Sequence, residues 1–131
     1  MNVIDSSGWV EFFTDGANAD FFDSPIRDIE SLIVPTICLY EVFKRVLLVL
    51  GDDKALKTIG QMSLGTTVDL DRNIAIQAAQ ISLDIKLAMA DSIILATARG
   101  YNATLWTQDE HFKDLESVRY IEKKQNSTQG G

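Results

Sequence analysis

The fold is indicated by residues 2–13, which read NVIDSSGWVEFF. The apolar, β-branched start of this stretch is typical of a buried strand, and the strand is predicted to end at Asp5. Apolar and aromatic residues then recur at helical spacing until Gly16, so a helix is predicted to follow at once, with Ser6 or Ser7 as its N-cap. A short buried strand that passes directly into a helix is the building unit of an α/β fold.

The same alternation continues through the rest of the chain. Helical segments separate short β-branched runs, and this order predicts a parallel sheet with helices on both faces. The predicted fold class is therefore α/β, with a central parallel sheet of four to five strands. Ligands of such sheets bind in the crevice beyond the carboxyl ends of the strands. After MNVI (1–4), the predicted strands are SLIVP (31–35), TTVDL (66–70), ATLW (103–106) and SVRYIE (117–122).

Length and composition describe one compact domain. The chain has 131 residues, of which 46% are hydrophobic and 24% charged, and this profile suits a globular protein with a single core. We expect residues 1–122 to form that domain and the small polar residues 123–131 to form a disordered tail. No signal peptide or membrane-spanning segment is predicted, and the single cysteine, Cys38, fits a reducing compartment. A cytoplasmic protein without a membrane partner is therefore expected.

The net charge limits how this protein could bind nucleic acid. The chain carries 12 basic against 19 acidic side chains, a net charge of −7. This balance argues against a protein that coats nucleic acid through bulk positive charge. It remains compatible with an enzyme that reaches phosphates through metal ions held by clustered acids.

Four carboxylates fall at junctions between the predicted elements. Asp5 ends the first strand, and Asp109 follows the fourth. Glu41 lies just over one turn into the helix after the second strand, and Asp91 opens a late helix. Because parallel strands end at one edge, these acids are predicted to share a pocket, where their mutual repulsion calls for a cation. Carboxylate oxygens suit Mg²⁺ or Mn²⁺, and such an ion activates water for attack on a phosphodiester.

Each acid also has an ordinary structural explanation. Asp5 suits a helix cap, Asp91 suits the first turn of a helix, and Glu41 suits an ion pair with Arg45 worth about 0.3 kcal/mol. The only histidine, His111, stands in a predicted loop and is expected to be an ordinary surface residue. Only the joint placement of the four acids favours a catalytic site.

Four motifs in the chain resemble those of the PIN-domain ribonucleases, and most closely those of the toxins of VapBC toxin–antitoxin pairs. They come in the family's order and at its spacing, and the resemblance extends from Asn2 to about Ile121. Each motif alone is weak, whereas four in order are specific. The motifs are VIDSSGWVEFF (3–13), TICLYEVFKR (36–45), ADSIILATA (90–98) and LWTQDEHF (105–112).

The resemblance implies the residues of the site and its cofactor, Mg²⁺ or Mn²⁺. Ser7 and Thr107 match positions that supply hydroxyl groups beside the metal ligands. Glu110 and Asp114 lie near Asp109, so which of the three holds the fourth acidic position stays open. Carried over position by position, the four catalytic and metal-binding acids are Asp5, Glu41, Asp91 and Asp109.

The resemblance further implies a three-layer α/β/α sandwich and a metal-dependent endoribonuclease that cleaves structured RNA such as tRNA or rRNA. Its implied partners are this RNA, a cognate VapB-like antitoxin that blocks the site, and a second copy in a homodimer. A PIN-like module that binds RNA or protein without cleavage is the alternative. A receiver-type phospho-acceptor domain fits less well, because it needs an acidic pair after the first strand and VIDSS offers one acid.

Overall fold

Over residues 1–124 the central sheet has five parallel strands, which confirms the predicted α/β class. The computed structural model describes residues 1–124. Strand β1 pairs with β2 on one side and β4 on the other, so Val3 lies between Ile33 and Leu105. The strands, in the sheet order β3-β2-β1-β4-β5, are β1 (Asn2–Ile4), β2 (Leu32–Pro35), β3 (Thr66–Val68), β4 (Thr104–Thr107) and β5 (Val118–Tyr120).

In the described part of the chain, six α-helices complete a three-layer α/β/α sandwich. The sixth contacts strands β1, β2 and β4, and the first packs against the second and the third. Trp9, Phe22 and Phe112 are fully buried in the core between these layers. The helices are α1 (Ser6–Phe13), α2 (Ala19–Arg27), α3 (Thr36–Leu50), α4 (Asp52–Met62), α5 (Arg72–Ile85) and α6 (Met89–Gly100).

The path of the chain creates a crevice beside β1. From β1 the chain proceeds through β2 and β3 on one side of the sheet, and then returns to form β4 and β5 on the other side. The direction of the strand order changes between β1 and β4, and ligands of open parallel sheets bind at such switch points. The residues that directly follow these two strands, Asp5 and Gln108, lie at this point.

Helix α1 begins differently from the prediction. Its N-cap is Asp5, whose side chain accepts a hydrogen bond of 2.9 Å from the backbone N–H of Gly8. The prediction of Ser6 or Ser7 as the cap is wrong, because Asp5 already has the extended backbone (φ −70°, ψ 169°) that directs a side-chain oxygen at the first turn. The carboxylate that caps the helix is thus the same one that ends β1.

The described part of the chain ends shortly after the last strand. Of the predicted tail 123–131, the residues from 125 onward lie outside the described residues. The domain boundary at residue 122 stays a prediction. Within residues 1–124, no helix combines the length and the apolar character needed to cross a membrane.

Candidate active site

The Asp5 carboxylate is buried at the carboxyl end of β1, where only 3% of the residue is exposed. Gly8 N donates to it at 2.9 Å, the Ser7 hydroxyl lies 2.9 and 3.0 Å from its two oxygens, and Thr107 Oγ1 donates at 2.7 Å. Burial raises the pKa of Asp5 to about 7, although these hydrogen bonds act in the opposite direction. Its surroundings therefore compensate the negative charge only in part, and a bound cation would compensate the rest.

Thr107 connects the ends of β1 and β4. Its fully buried hydroxyl donates to Asp5 Oδ2 and accepts a hydrogen bond of 2.9 Å from the backbone N–H of Asp109. It thereby fixes the start of the segment after β4 relative to the Asp5 carboxylate. Both hydroxyl residues that the sequence singled out, Ser7 and Thr107, contact Asp5 directly.

Asp109, two residues after the end of β4, is the N-cap of a short 3₁₀ turn. Its Oδ1 accepts a hydrogen bond of 2.9 Å from the backbone N–H of His111, and His111 Nδ1 lies 3.1 Å from the same oxygen. Glu110 and Asp114 are exposed, and Asp114 has a left-handed backbone with φ of 68°. Within the described residues, Asp109 is the acid of this segment that lies close to Asp91.

Asp91 lies in the first turn of α6 and is partly buried. Burial raises its pKa to about 6, and the negative charges of Asp109 and Glu41 act in the same direction, while His111 lowers it. A carboxylate oxygen of Asp91, one of Asp109 and a nitrogen of His111 all lie within 4.8 Å of one another. Residues 92–98 of the same helix are buried, so Asp91 stands at the point where this helix leaves the core.

Glu41 reaches the same edge of the sheet from α3. The Ser6 hydroxyl donates a hydrogen bond of 2.6 Å to Glu41 Oε1 and so ties Glu41 to the start of α1. Within residues 1–124, no ion pair joins Glu41 to Arg45. The structural alternative to a role in the site, an ion pair along the helix, is therefore not observed.

The four predicted acids meet where β1 and β4 end. Asp109 raises the pKa values of both Asp5 and Asp91, and Glu41 also raises that of Asp91. Cys38 is fully buried near them: burial first, and then the charges of Asp5, Glu41 and Asp91, raise the pKa of its thiol. Hard divalent cations take carboxylate oxygens as ligands, so this donor set fits Mg²⁺ or Mn²⁺. The catalytic role of the four acids stays a prediction.

Two adjoining cavities open over this edge of the sheet. The cavity of about 510 Å³ reaches Asp109 and His111, and the cavity of about 410 Å³ reaches Glu41 and Arg45. Together they form an open groove, which suits a polymeric substrate better than an enclosed pocket would. The residues common to the walls of both cavities are Ser7, Gln108 and Lys123.

Two features of the site have no counterpart in the sequence predictions. The His111 side chain is 69% exposed, as expected of a surface residue, yet its ring nitrogen contacts Asp109. The sequence feature that could have indicated this contact is that His111 comes two residues after Asp109, an acid that caps a turn. The second feature is a buried link in which Asn18 Nδ2 donates to Gln108 Oε1 at 3.0 Å and Asn18 N donates to Glu11 Oε2 at 2.7 Å. No local pattern indicates a contact between positions 18 and 108.

Comparison with known proteins identifies a family whose model matches this chain and several solved structures with a similar fold. The PIN domain family model matches residues 3–118. No protein of the curated set matches the sequence. A toxin–antitoxin complex from Klebsiella pneumoniae matches with a TM-score of 0.78 and 19% identity, over 91% of this chain and 96% of that chain.

Two further solved structures match over most of the chain. VapC20 of Mycobacterium tuberculosis, described as a sarcin–ricin loop cleaving toxin, matches with a TM-score of 0.71 and 12% identity, over 86% of this chain and 92% of that chain. FitAcB from Neisseria gonorrhoeae matches with a TM-score of 0.70 and 23% identity, over 93% of this chain and 97% of that chain. At these identities, the likeness shows a shared fold.

Proposed function

The chain belongs to the PIN domain family, and from that premise we propose that it is a metal-dependent endoribonuclease that acts as the toxin of a toxin–antitoxin pair. The observation that carries this proposal is the meeting of four carboxylates at the switch point between β1 and β4, beneath an open groove. Such an acidic cluster suits metal-assisted hydrolysis of a phosphodiester. Attack by a cysteine is not needed, and the only cysteine, Cys38, is buried.

The proposed metal is Mg²⁺ or Mn²⁺. Both ions prefer oxygen donors, and the four carboxylates offer them at one place. The raised pKa values of Asp5 and Asp91 support this role, because a divalent ion would stabilise the ionised form of each. When bound, the ion polarises the scissile phosphate and lowers the pKa of the attacking water. The residues proposed to hold it are Asp5, Glu41, Asp91 and Asp109.

Hydrogen bonds within the chain hold these acids in position. Ser7 and Thr107 donate to Asp5 and favour its ionised form, which is the form that binds a cation. Ser6 donates to Glu41 and limits the freedom of a long side chain. A site oriented in advance in this way loses little energy to reorganisation during the reaction.

The proposed substrate is structured RNA such as tRNA or rRNA. A net charge of −7 leaves phosphate binding to local cations, and Arg45 and Lys123 line the cavity that also holds Glu41. We assign these two side chains to phosphates that flank the scissile bond. The description of a structural neighbour as a sarcin–ricin loop cleaving toxin supports rRNA as a substrate class.

The proposed partners are a cognate antitoxin and a second copy of the chain. The proposed location is the cytoplasm. A neighbour that is a toxin–antitoxin complex supports the antitoxin partner. A basic antitoxin segment would complement the acidic groove. Exposed apolar side chains on three helices, Leu48 (78%), Leu56 (64%) and Leu83 (83%), offer surface that a partner or a second copy would bury.

Cleavage of total cellular RNA by the purified protein, free of antitoxin, tests the proposal. Reactions with Mn²⁺ or Mg²⁺ are compared with reactions in EDTA, with an Asp91→Asn variant, and with Asp20→Asn as a control at an exposed acid. Discrete fragments that require both the metal and Asp91 are expected. A fully active Asp91→Asn protein would contradict the proposal, and RNA that binds the folded protein without cleavage would favour the binding module.

A further inference from the structure

We propose that His111 is a direct ligand of the bound metal and makes the site selective for first-row transition ions, beginning with Mn²⁺, over Mg²⁺. The inference rests on the proposed function only in that it assumes a divalent ion at the acidic edge. It assigns to His111 a role in metal selection that the four acids alone would not provide.

The positions of three donor atoms carry the inference. His111 Nδ1 lies 3.1 Å from Asp109 Oδ1, and each of these residues offers a ligand atom within 4.8 Å of an Asp91 oxygen. With metal–ligand bonds of about 2.1 Å, neighbouring ligands of an octahedral ion lie about 3.0 Å apart and opposite ligands about 4.2 Å apart. One donor from each of the three residues, all within 4.8 Å of one another, thus comes close to the spacing of one coordination sphere.

The local backbone keeps the imidazole at this place. The residue two positions earlier, Asp109, caps the turn through the backbone N–H of His111, and the next residue, Phe112, is fully buried in the core. His111 is therefore anchored on both sides although its own side chain is 69% exposed. A freely moving surface histidine would have neither constraint.

The chemistry of the imidazole nitrogen sets the preference. Mg²⁺ is bound by oxygen ligands, whereas the affinity of nitrogen-containing sites for divalent first-row metals rises along the series that starts at Mn²⁺. A donor set of carboxylate oxygens alone discriminates weakly between Mg²⁺ and Mn²⁺. Adding one neutral imidazole nitrogen to Asp91 and Asp109 shifts the balance towards Mn²⁺.

If the imidazole proton is on the nitrogen that faces Asp109, His111 positions that carboxylate and does not bind the metal. If Nδ1 carries the proton, it donates a hydrogen bond to Asp109 Oδ1 and only orients that carboxylate. A positioning residue of this kind would affect Mg²⁺ and Mn²⁺ similarly. The two roles are therefore distinguished by the ion preference and by whether nitrogen is bonded to the metal.

Pulsed electron paramagnetic resonance of the Mn²⁺-loaded, tag-free protein tests the inference directly. His111 is the only histidine of the chain, so labelling histidine with ¹⁵N marks this one side chain. We expect a nitrogen coupling of a directly bound imidazole that changes from the ¹⁴N to the ¹⁵N pattern on labelling. This measurement uses the wild-type protein and does not depend on the folding of a variant.

Calorimetric titration with Mn²⁺ and with Mg²⁺ gives a second readout that is independent of RNA cleavage. We expect His111→Ala to weaken Mn²⁺ binding by about tenfold or more and Mg²⁺ binding by less than about threefold. His111→Asn keeps a side-chain N–H donor but lacks the imidazole, and it should behave like His111→Ala. Glu116→Gln, at an exposed acid outside both cavities, is the control.

Two results would overturn the inference. The first is Mn²⁺-loaded wild-type protein without a nitrogen coupling, and the second is a His111→Asn variant that keeps the full preference for Mn²⁺. Metal-dependent RNA cleavage beside either result would leave the proposed function standing. Conversely, a nitrogen coupling in a protein that cleaves no RNA would support the histidine ligand and count against the nuclease.

Discussion

Thr107 donates a hydrogen bond of 2.7 Å to Asp5 and thereby joins residues that are 102 positions apart in the chain. The same hydroxyl accepts the backbone N–H of Asp109, so one side chain sets the relative position of two acids of the proposed metal site. Both bonds lie at the carboxyl end of the pairing of β1 with β4, the two central strands that flank the switch point. The geometry of the site therefore depends on the rigid core rather than on a flexible loop.

Replacing Thr107 with valine should weaken metal binding while the protein stays folded. Valine has nearly the same shape, but it removes the donor to Asp5 and the acceptor for Asp109 N. We expect about a 10- to 100-fold loss of Mg²⁺ or Mn²⁺ affinity, because partners that orient metal ligands contribute on that scale. Titration calorimetry on the variant measures this loss.

Thr97→Val is the matched control for this prediction. Thr97 is also buried, and its hydroxyl donates to a helical carbonyl, that of Ile93, rather than to an acid. Both variants should lose about 1–3 kcal/mol of unfolding free energy, but only Thr107→Val should lose metal affinity. Equal metal affinities in the two variants would show that Thr107 does not position the acids.

Replacing Asp5 with asparagine should abolish RNA cleavage and leave the fold intact. The amide keeps the size of the side chain but removes a charge from the proposed metal site, so we expect at least about a hundredfold loss of activity. Circular dichroism and the denaturation midpoint show whether the fold persists. Retention of metal-dependent cleavage by a folded Asp5→Asn protein would remove Asp5 from the catalytic set.

The fold could be predicted because each level of the sequence agrees with the next. Short β-branched runs such as residues 32–34 alternate with helical segments, and that alternation determines a parallel sheet. The convergence of the acids follows from the same rule, because Asp5 comes directly after β1, Asp109 comes two residues after β4, and these two strands pair. Their placement could thus be predicted, whereas their catalytic role needs measurement.

The details that could not be predicted are of two kinds: a choice between neighbouring residues that suit the same role, and contacts that depend on how the chain folds back on itself. Asp5 and Ser7 are both good caps, and only the backbone conformation at the end of β1 decides between them. The contact of His111 with Asp109 depends on how one short turn folds back. The link between Asn18 and Gln108 joins residues 90 positions apart, and such a contact becomes visible only when the sheet is assembled.

In the absence of metal, stability should fall as the pH rises from about 4 to about 7. The pKa of Asp5 is raised by burial to about 7 in the folded chain, from 3.8. Between these values the folded protein binds more protons than the unfolded protein, so the free energy of unfolding decreases with pH, by at most about 4 kcal/mol. Asp91, whose pKa is also raised, acts in the same direction up to about pH 6.

Urea denaturation in EDTA at several pH values measures this dependence. Asp5→Asn should reduce the slope over the whole range and remove most of it between about pH 6 and pH 7, because its side chain does not titrate and Asp91 contributes only up to about pH 6. Saturating Mn²⁺ or Mg²⁺ should raise the stability of the wild-type protein most at pH 7 and above, where the ionised carboxylates bind the ion. A wild-type stability that is constant or rises over this range in EDTA would contradict the prediction.

Replacing Gly8 with alanine should displace helix α1 and, with it, two hydroxyl groups of the site. An added Cβ at Gly8 would lie 2.6 Å from Cε1 of Phe22 and 2.8 Å from Cγ2 of Ile4, and both neighbours are fully buried. Neither can move without disturbing the core, so we expect a loss of about 1–3 kcal/mol of unfolding free energy. Ser6 and Ser7, which donate to Glu41 and Asp5, begin this helix, so cleavage activity should fall as well.

Gly60→Ala provides the comparison within the same chain. Gly60 lies in helix α4, and an added Cβ there meets no atom within 4 Å. Alanine favours the helix over glycine by about 0.5–1 kcal/mol, so this variant should be more stable than the wild type and equally active. Denaturation midpoints and cleavage rates of the two variants separate the effects. A Gly8→Ala protein that is as stable and as active as Gly60→Ala would contradict this prediction. Helix α1 would then tolerate the added methyl group, and its close packing against Phe22 would not be needed to position Ser6 and Ser7.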